Sequence, residues 1–226
     1  TTATGTALTK AGAGVLVLSS AANSFNGAGV SITGGILKYG VAAAIPATSA
    51  ITVAAGAGLD LNGFDLNPQT QSLTVAGFVT NSAASTSTLL VAGTSATDVT
   101  TTGDTTFGVA LADNNALNSA SKLAVTKGGL GTLTFTNTTS VNAGPVLVVA
   151  GTVNGAGTNT FSPNAIIQLG NASTATAATP TATLDVLSFD QTIGGLATGT
   201  NTAGSSAIVR IGAGRTLTTT ATNTLG

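Results

Sequence analysis

Asp60, Asp65, Asp185 and Asp190 are the side chains of this sequence whose type and spacing come nearest to a catalytic arrangement, because they are its paired acids. Some polysaccharide lyases and hydrolases built on β-solenoids cluster such carboxylates with Lys or Arg on one face, where they divide the general acid and general base work. The two pairs sit, however, in matching segments 125 positions apart, Leu59-Asp60-Leu61-Asn62-Gly63-Phe64-Asp65 and Leu184-Asp185-Val186-Leu187-Ser188-Phe189-Asp190. A single active site has no reason to be duplicated. The four aspartates are therefore expected at corners, accepting hydrogen bonds from nearby backbone N–H groups, and no catalytic residue is assigned.

The other candidates are weighed in the same way. Asp98, Asp104 and Asp113 lie in a polar stretch that suggests calcium, but calcium-binding solenoid repeats place Asp after a tight Gly-Gly-x-Gly-x run. Here Gly128-Gly129-Leu130-Gly131 is followed by Thr132. The same glycines do not make a phosphate loop, since no Lys-Ser/Thr follows and no helix opens there. No metal or cofactor site is expected. Lys10 and Lys127 hold matching positions and read as solvated or Asp-paired side chains at strand entrances. Asn137 and Asn171 begin glycosylation sequons of a kind expected by chance in so Asn- and Thr-rich a chain. Thr216–Thr220 suggests an ice-binding solenoid, but such a face needs Thr-x-Thr on every rung, and the Thr spacing along the chain is not regular.

Composition removes whole chemistries. Charged residues are 6% of the chain and aromatics 4%, against roughly 25% charged in an ordinary domain. The chain has no Cys, Met, Trp or His, and its seven acids are all Asp. Without His or Cys there is no imidazole base, thiolate nucleophile or ordinary zinc site. Six basic residues and a net charge of −1 leave no footprint for nucleic acid. No run reaches the roughly 18 apolar residues of a membrane helix, so insertion of this segment into a membrane is not expected. No signal peptide or lipidation motif is seen, and the absence of Cys fits export in an unfolded state.

What must position these residues is a repeat. Lys10–Ser19 (KAGAGVLVLS) returns 117 positions on as Lys127–Thr136 (KGGLGTLTFT), without a gap for about 28 residues, so that Gly27 falls on Gly144 and Gly34 on Gly151. By the second block the offset has grown to 125, and the Ala/Ser/Thr run from Asn171 to Thr183 is the expected site of the insertion. Leu16 and Leu18, like Leu133 and Phe135, alternate with Val or Thr, the period of a strand with one buried face. Short runs of the same kind occur at Val30–Ile32, Ile51–Val53, Leu73–Val75, Leu89–Val91, Leu147–Val149, Ile166–Leu169 and Ile208–Ile211, separated by Gly, Asn and Asp. No helical stripe competes with them.

Short strands and tight corners allow a sandwich or a solenoid, and a fixed repeat favours the solenoid, whose rungs stack strand on equivalent strand. The fold expected is all-β, a right-handed parallel β-helix of roughly 20 to 25 residues per rung. Residues 1–226 are read as a single solenoid with repeat units at about 10–126 and 127–226, the second incomplete. Its core is expected from Leu16, Leu18, Val30, Ile32, Leu133, Phe135, Leu147 and Val149.

The pattern Lys-x-Gly-x-Gly-x-Leu-x-Leu/Phe, with a Gly-rich corner and a short strand after it, resembles the autotransporter-associated β-strand repeat of bacterial autotransporter passenger domains. Leu59–Leu73 and Leu184–Leu196 resemble the segment that accompanies that repeat. The resemblance implies a β-helix exported to the cell surface. Nothing in the chain looks like the β-barrel translocator of that family, so a passenger piece, a released passenger or a separately exported repeat protein is expected. Thr1 corresponds to about Asn118 and Gly226 to Gly108, so the two ends are complementary in repeat phase and end-to-end association into filaments is expected. Two functions stay open. One is a non-enzymatic extracellular structural element of a bacterial surface fibre or adhesin, with possible host or matrix contact; the other is a polysaccharide-active enzyme or ligand-binding module on a β-helix. Scarcity of aromatic and charged side chains favours the first.

Overall fold

A computed structural model describes residues 6–25, 29–66, 73–91, 105–107, 110–113, 122–170, 180–199 and 205–221. Asp98, Asp104, Asn171, Thr1 and Gly226, and with them the phase relation of the two ends, lie outside the described residues. The described residues form β1 (Leu8–Lys10), β2 (Val15–Leu18), β3 (Val30–Ile32), β4 (Ile36–Tyr39), β5 (Ile51–Val53), β6 (Gly58–Asp60), β7 (Leu73–Val75), β8 (Phe78–Asn81), β9 (Thr86–Val91), β10 (Thr105–Phe107) and β11 (Ala110–Asp113). They continue as β12 (Lys122–Lys127), β13 (Thr132–Phe135), β14 (Val146–Val148), β15 (Gly151–Gly155), β16 (Ile166–Leu169), β17 (Thr181–Val186), β18 (Gln191–Ile193), β19 (Gly195–Thr198), β20 (Ser206–Ile211) and β21 (Leu217–Thr219). All of the Val-, Ile- and Leu-rich runs singled out in the sequence are strands or parts of strands. Among the described residues no helix is long and apolar enough to cross a membrane.

The chain divides into two compact units, Thr1–Leu89 with Val109–Leu123, and Leu90–Gly108 with Ala124–Gly226. Each is a parallel β-solenoid. In the first, β1-β3-β5-β7 and β2-β4-β6-β8-β11 stack as two sheets. Leu8 opposes Val30, Val30 opposes Ile51 and Ile51 opposes Leu73, so successive rungs there take 21 or 22 residues. In the second, β10-β13-β15-β17-β20 form one sheet and β12-β14-β16-β19 neighbour one another in a second, with β18 paired to β21. Two rungs of this unit exceed the expected length. Gly151 opposes Ala182, 31 residues on, across the stretch where the insertion was expected, and Ile166 opposes Gly195, 29 residues on.

Stacking puts like on like. Leu37, Leu59 and Val79 lie in one fully buried column of the first unit, and Leu133, Val153 and Leu184 in one of the second. Of the expected core, Leu18, Val30, Ile32, Leu133, Phe135 and Val149 are buried. Leu16 is half-buried, because β2 is the outer strand of its sheet.

Leu147 corrects the expected register. In β14 it is Val146 and Val148 that point inward, opposite Ile167 and Leu169, while Leu147 is only partly covered. Val146–Val148 occupies the place that Val30–Ile32 holds in the first unit, an offset of 116 rather than 117. The connection from β13 to β14 is thus one residue shorter than that from β2 to β3, and the gapless alignment carried the wrong face through a run, Leu-Val-Val, with no alternation to resist it.

The Thr spacing is also more regular than the sequence suggested. Thr9, Ser31, Thr52 and Thr74 are in register on successive rungs and face outward as one column of hydroxyls. It is a single column, because strands of three residues with both ends turned inward leave one outward position per rung.

Candidate functional site

Lys10 and Lys127 end the inward faces of β1 and β12, and the corner that follows each one folds back over the ammonium. Lys10 Nζ donates to the carbonyl oxygens of Ala11, Gly12 and Gly34 at 2.9, 2.7 and 2.8 Å. Lys127 Nζ donates to those of Gly128, Gly129 and Ala150 at 2.7, 2.7 and 3.0 Å. Two of the three acceptors belong to the lysine's own corner and the third to the next rung. An ammonium has three donors and no acceptor, so three converging carbonyls satisfy it. Lys10 is 6% exposed and Lys127 fully buried. The expectation of solvated side chains at these positions is therefore wrong: each lysine is a cross-link between the corners of two rungs.

The glycines of the motif follow from this geometry. Gly12 and Gly129 have φ of 73° and 70°, the left-handed region that turns their carbonyls toward the ammonium at little steric cost. At Gly35 and Gly151, on the next rung, a Cβ would strike the backbone carbonyls of Gly12 and Gly14, or of Leu130 and Gly131. Only glycine lets the two corners approach closely enough to share one lysine.

The four aspartates lie at corners as expected. Asp60 Oδ1 accepts from the Asn62 N–H and Asp185 Oδ1 from the Leu187 N–H, both at 2.9 Å, two residues on. Asp65 Oδ1 accepts from Thr88 N–H and Asp190 Oδ1 from Thr216 N–H, both at 2.8 Å. These two bonds reach a following rung, so they tie corners together rather than staying local. Only Asp60 gains further partners. Its Oδ1 also accepts from the Ser82 N–H, its Oδ2 from the Ser82 hydroxyl, and Lys38 Nζ stands 3.4 Å from Oδ2. Lys38 also donates to Ser82 Oγ at 2.7 Å. The hydroxyl of Ser82 thus hands its proton to a carboxylate already facing an ammonium, an arrangement that holds three rungs together rather than activating a nucleophile. In the second unit Asn154 takes the place of Lys38, opposite Asp185.

Two buried amides were missed by the sequence reading. Asn81 accepts from the N–H groups of Gly63 and Ala83 through Oδ1 and donates to the carbonyls of Ser85 and Lys122 through Nδ2. Gln191 accepts from Thr160 N–H at 2.9 Å and donates to Gly157 O at 2.7 Å. Both are at most 1% exposed. The signal available was a lone amide at a strand end, Asn81 closing β8 and Gln191 opening β18, where the flanking corners have backbone groups to satisfy.

Tyr39 is the one tyrosine and lies 1% exposed. Its hydroxyl sits near the Ile45 backbone without a well-formed hydrogen bond, and desolvation raises its pKa far above the ordinary value despite that neighbour. In the second unit an open groove of about 290 Å³ runs beside Thr138, Thr139 and Val141 on one side and Phe161, Pro163 and Thr192 on the other. Its described lining carries no charged side chain. Among the described residues no group of three or more Asp could hold a metal ion.

Comparison with known proteins gives one match in this region. Residues 8–38 match the family model of the passenger-associated-transport-repeat. They run from β1 to β4 and contain Lys10 and the acceptors that hold it. No curated protein and no solved structure matches the chain at the significance required. The second unit repeats the same order, a strand ending in Lys127, a Gly corner, β13, β14, and the corner at Ala150 and Gly151 before β15. This β-solenoid therefore carries an autotransporter passenger-like repeat.

Proposed function

We propose that this chain is a non-enzymatic structural element of a bacterial surface, a secreted or surface-exposed right-handed β-solenoid that forms part of a fibre or adhesin and associates with further copies of itself. The observation that carries the reading is the use to which its charged groups are put. Lys10, Lys127, Asp60, Asp65, Asp185 and Asp190 recur in equivalent places and all bind backbone groups at corners. A passenger-type repeat at residues 8–38 supports the location, and parallel crossovers supply the hand, being right-handed in about 98% of cases. β20 supports self-association, since it is the outer strand of its sheet and shows Val209 and Ile211 to solvent. Negative-stain microscopy and light scattering at rising concentration test the reading. Filaments or concentration-dependent growth are expected, whereas a monomer at every concentration, or turnover of a polysaccharide by the purified chain, would overturn it.

A further inference from the structure

Asn137-Thr138-Thr139 is a sequon set at the corner after β13, and its geometry gives it more meaning than its length does. Asn137 Oδ1 accepts from both the N–H and the hydroxyl of Thr139, at 2.8 and 2.7 Å. An amide N–H can only donate, so this contact fixes which end of the Asn137 amide is oxygen. The oxygen end is turned into the corner and polarised by two donors, and the nitrogen lies on the opposite side of the planar group. Thr138 and Thr139 are exposed, which leaves the corner open to a modifying enzyme.

The groove described above begins at this corner, since Thr138 and Thr139 form part of its wall. At about 290 Å³ it lies at the low end of small-molecule sites, roughly 300 to 1,000 Å³, room for one ring rather than an oligosaccharide. Hydroxyls of Thr138, Thr139 and Thr192 rim it, and Val141 and Pro163 supply an apolar wall. Val141 is 51% exposed. A pyranose has the same two characters, an apolar C–H face and a hydroxyl edge.

We propose that Asn137 is a glycosylation site whose first sugar, a hexose or N-acetylhexosamine, folds back into this groove. A glycosyltransferase and a donor of the sugar-diphosphate class are required. The Asn137 Nδ2–C1 bond forms, the C1–O bond to the diphosphate breaks, and the amide proton leaves to the enzyme's base. The proposal does not depend on self-association.

The test is peptide mass spectrometry on protein recovered from the cells that make it, for the natural sequence and for T138A, T139A and N137Q. A sugar on Asn137 is expected in the natural protein and in T138A, and its loss in T139A and N137Q. Amide exchange at Thr138–Val141 is expected to slow severalfold in the sugar-bearing form. An unmodified Asn137 in the natural protein, or a sugar that survives T139A, overturns the site. A sugar on Asn137 without slower exchange overturns its seat in the groove.

Discussion

Lys127 Nζ lies 3.0 Å from the carbonyl oxygen of Ala150, one rung further on, and this contact makes the lysine part of the stack rather than of the surface. The β-ladder alone joins rungs through strands; the ammonium joins them through corners, where no ladder runs. Replacing Lys127 by Met keeps most of the volume and leaves three buried carbonyls facing a thioether. Hydrogen bonds to charged groups contribute about 1.5 to 3 kcal/mol each in favourable cases, and orphaned acceptors add a penalty. K127M is therefore expected to lose about 3 kcal/mol, with K10M losing less because Lys10 keeps some contact with water. Urea midpoints followed by circular dichroism would measure it. Unchanged midpoints would mean that the corners hold without a donor.

The glycines make a sharper test of the same corner. At Gly14 an added Cβ has open space and the backbone is in an ordinary region, at Gly12 the space is open but φ is 73°, and at Gly151 φ is 71° and the Cβ meets backbone carbonyls. The order of damage expected is G14A near zero, G12A about 1 kcal/mol, and G151A several times that. If G151A were as mild as G12A, close approach of the two rungs would not be what glycine provides there.

The rungs were legible because alternation within a strand and recurrence between units agreed, as at Leu133–Phe135 and Val30–Ile32. Legibility failed where that redundancy ran out. Leu-Val-Val at 147–149 offers three apolar residues and no polar marker, so a single deletion before β14 passed unnoticed and reversed its face. The outward positions Thr9, Ser31, Thr52 and Thr74 were visible one by one, but only the 21- and 22-residue rungs align them. Lys10 was assigned to solvent because lysine is rarely buried, and sequence cannot show three carbonyls converging on one point.

The aspartates separate by the number of bonds each accepts. Asp60 accepts three hydrogen bonds and faces Lys38, whereas Asp185 accepts one from Leu187. D60A is expected to cost about 2 to 3 kcal/mol and D185A about 1 kcal/mol or less. Equal losses in thermal or urea unfolding would show that the links from Ser82 and Lys38 add nothing.

Tyr39 predicts an alkaline limit. Burial raises its pKa, so the folded state holds the phenol neutral where the unfolded chain, with a value near 10, has begun to ionise. The unfolded state then binds fewer protons, and stability falls as pH rises above about 10. Below that pH the contribution is fully present. Since the chain has one Tyr and no Trp, phenolate absorbance reports this group alone. It is expected to appear together with loss of circular dichroism, and a smooth titration near pH 10 in the folded protein would contradict the burial.

Self-association is predicted from the way two inward columns end. Leu184 opposes Val209 and Val186 opposes Ile211 across β17 and β20. The first of each pair is at most 2% exposed, yet Val209 and Ile211 are 37% and 51% exposed, although their register places them in the same columns. What they lack is a strand beyond them. Among the described residues β20 has a partner on one side only, so a parallel strand arriving there gains ladder hydrogen bonds and covers two aliphatic side chains at once. Fully burying such a side chain is worth about 1.5 to 3 kcal/mol, which discounted for partial cover leaves about 1.4 kcal/mol or more each. Changing both to Asp removes that gain and sets charges against a partner's apolar edge, so association is expected to weaken by at least a hundredfold. Unfolding should change little, because both positions are already half in water. Light scattering of the natural chain and of the V209D/I211D double variant decides the matter: equal self-association in the two would place the contact elsewhere on the molecule.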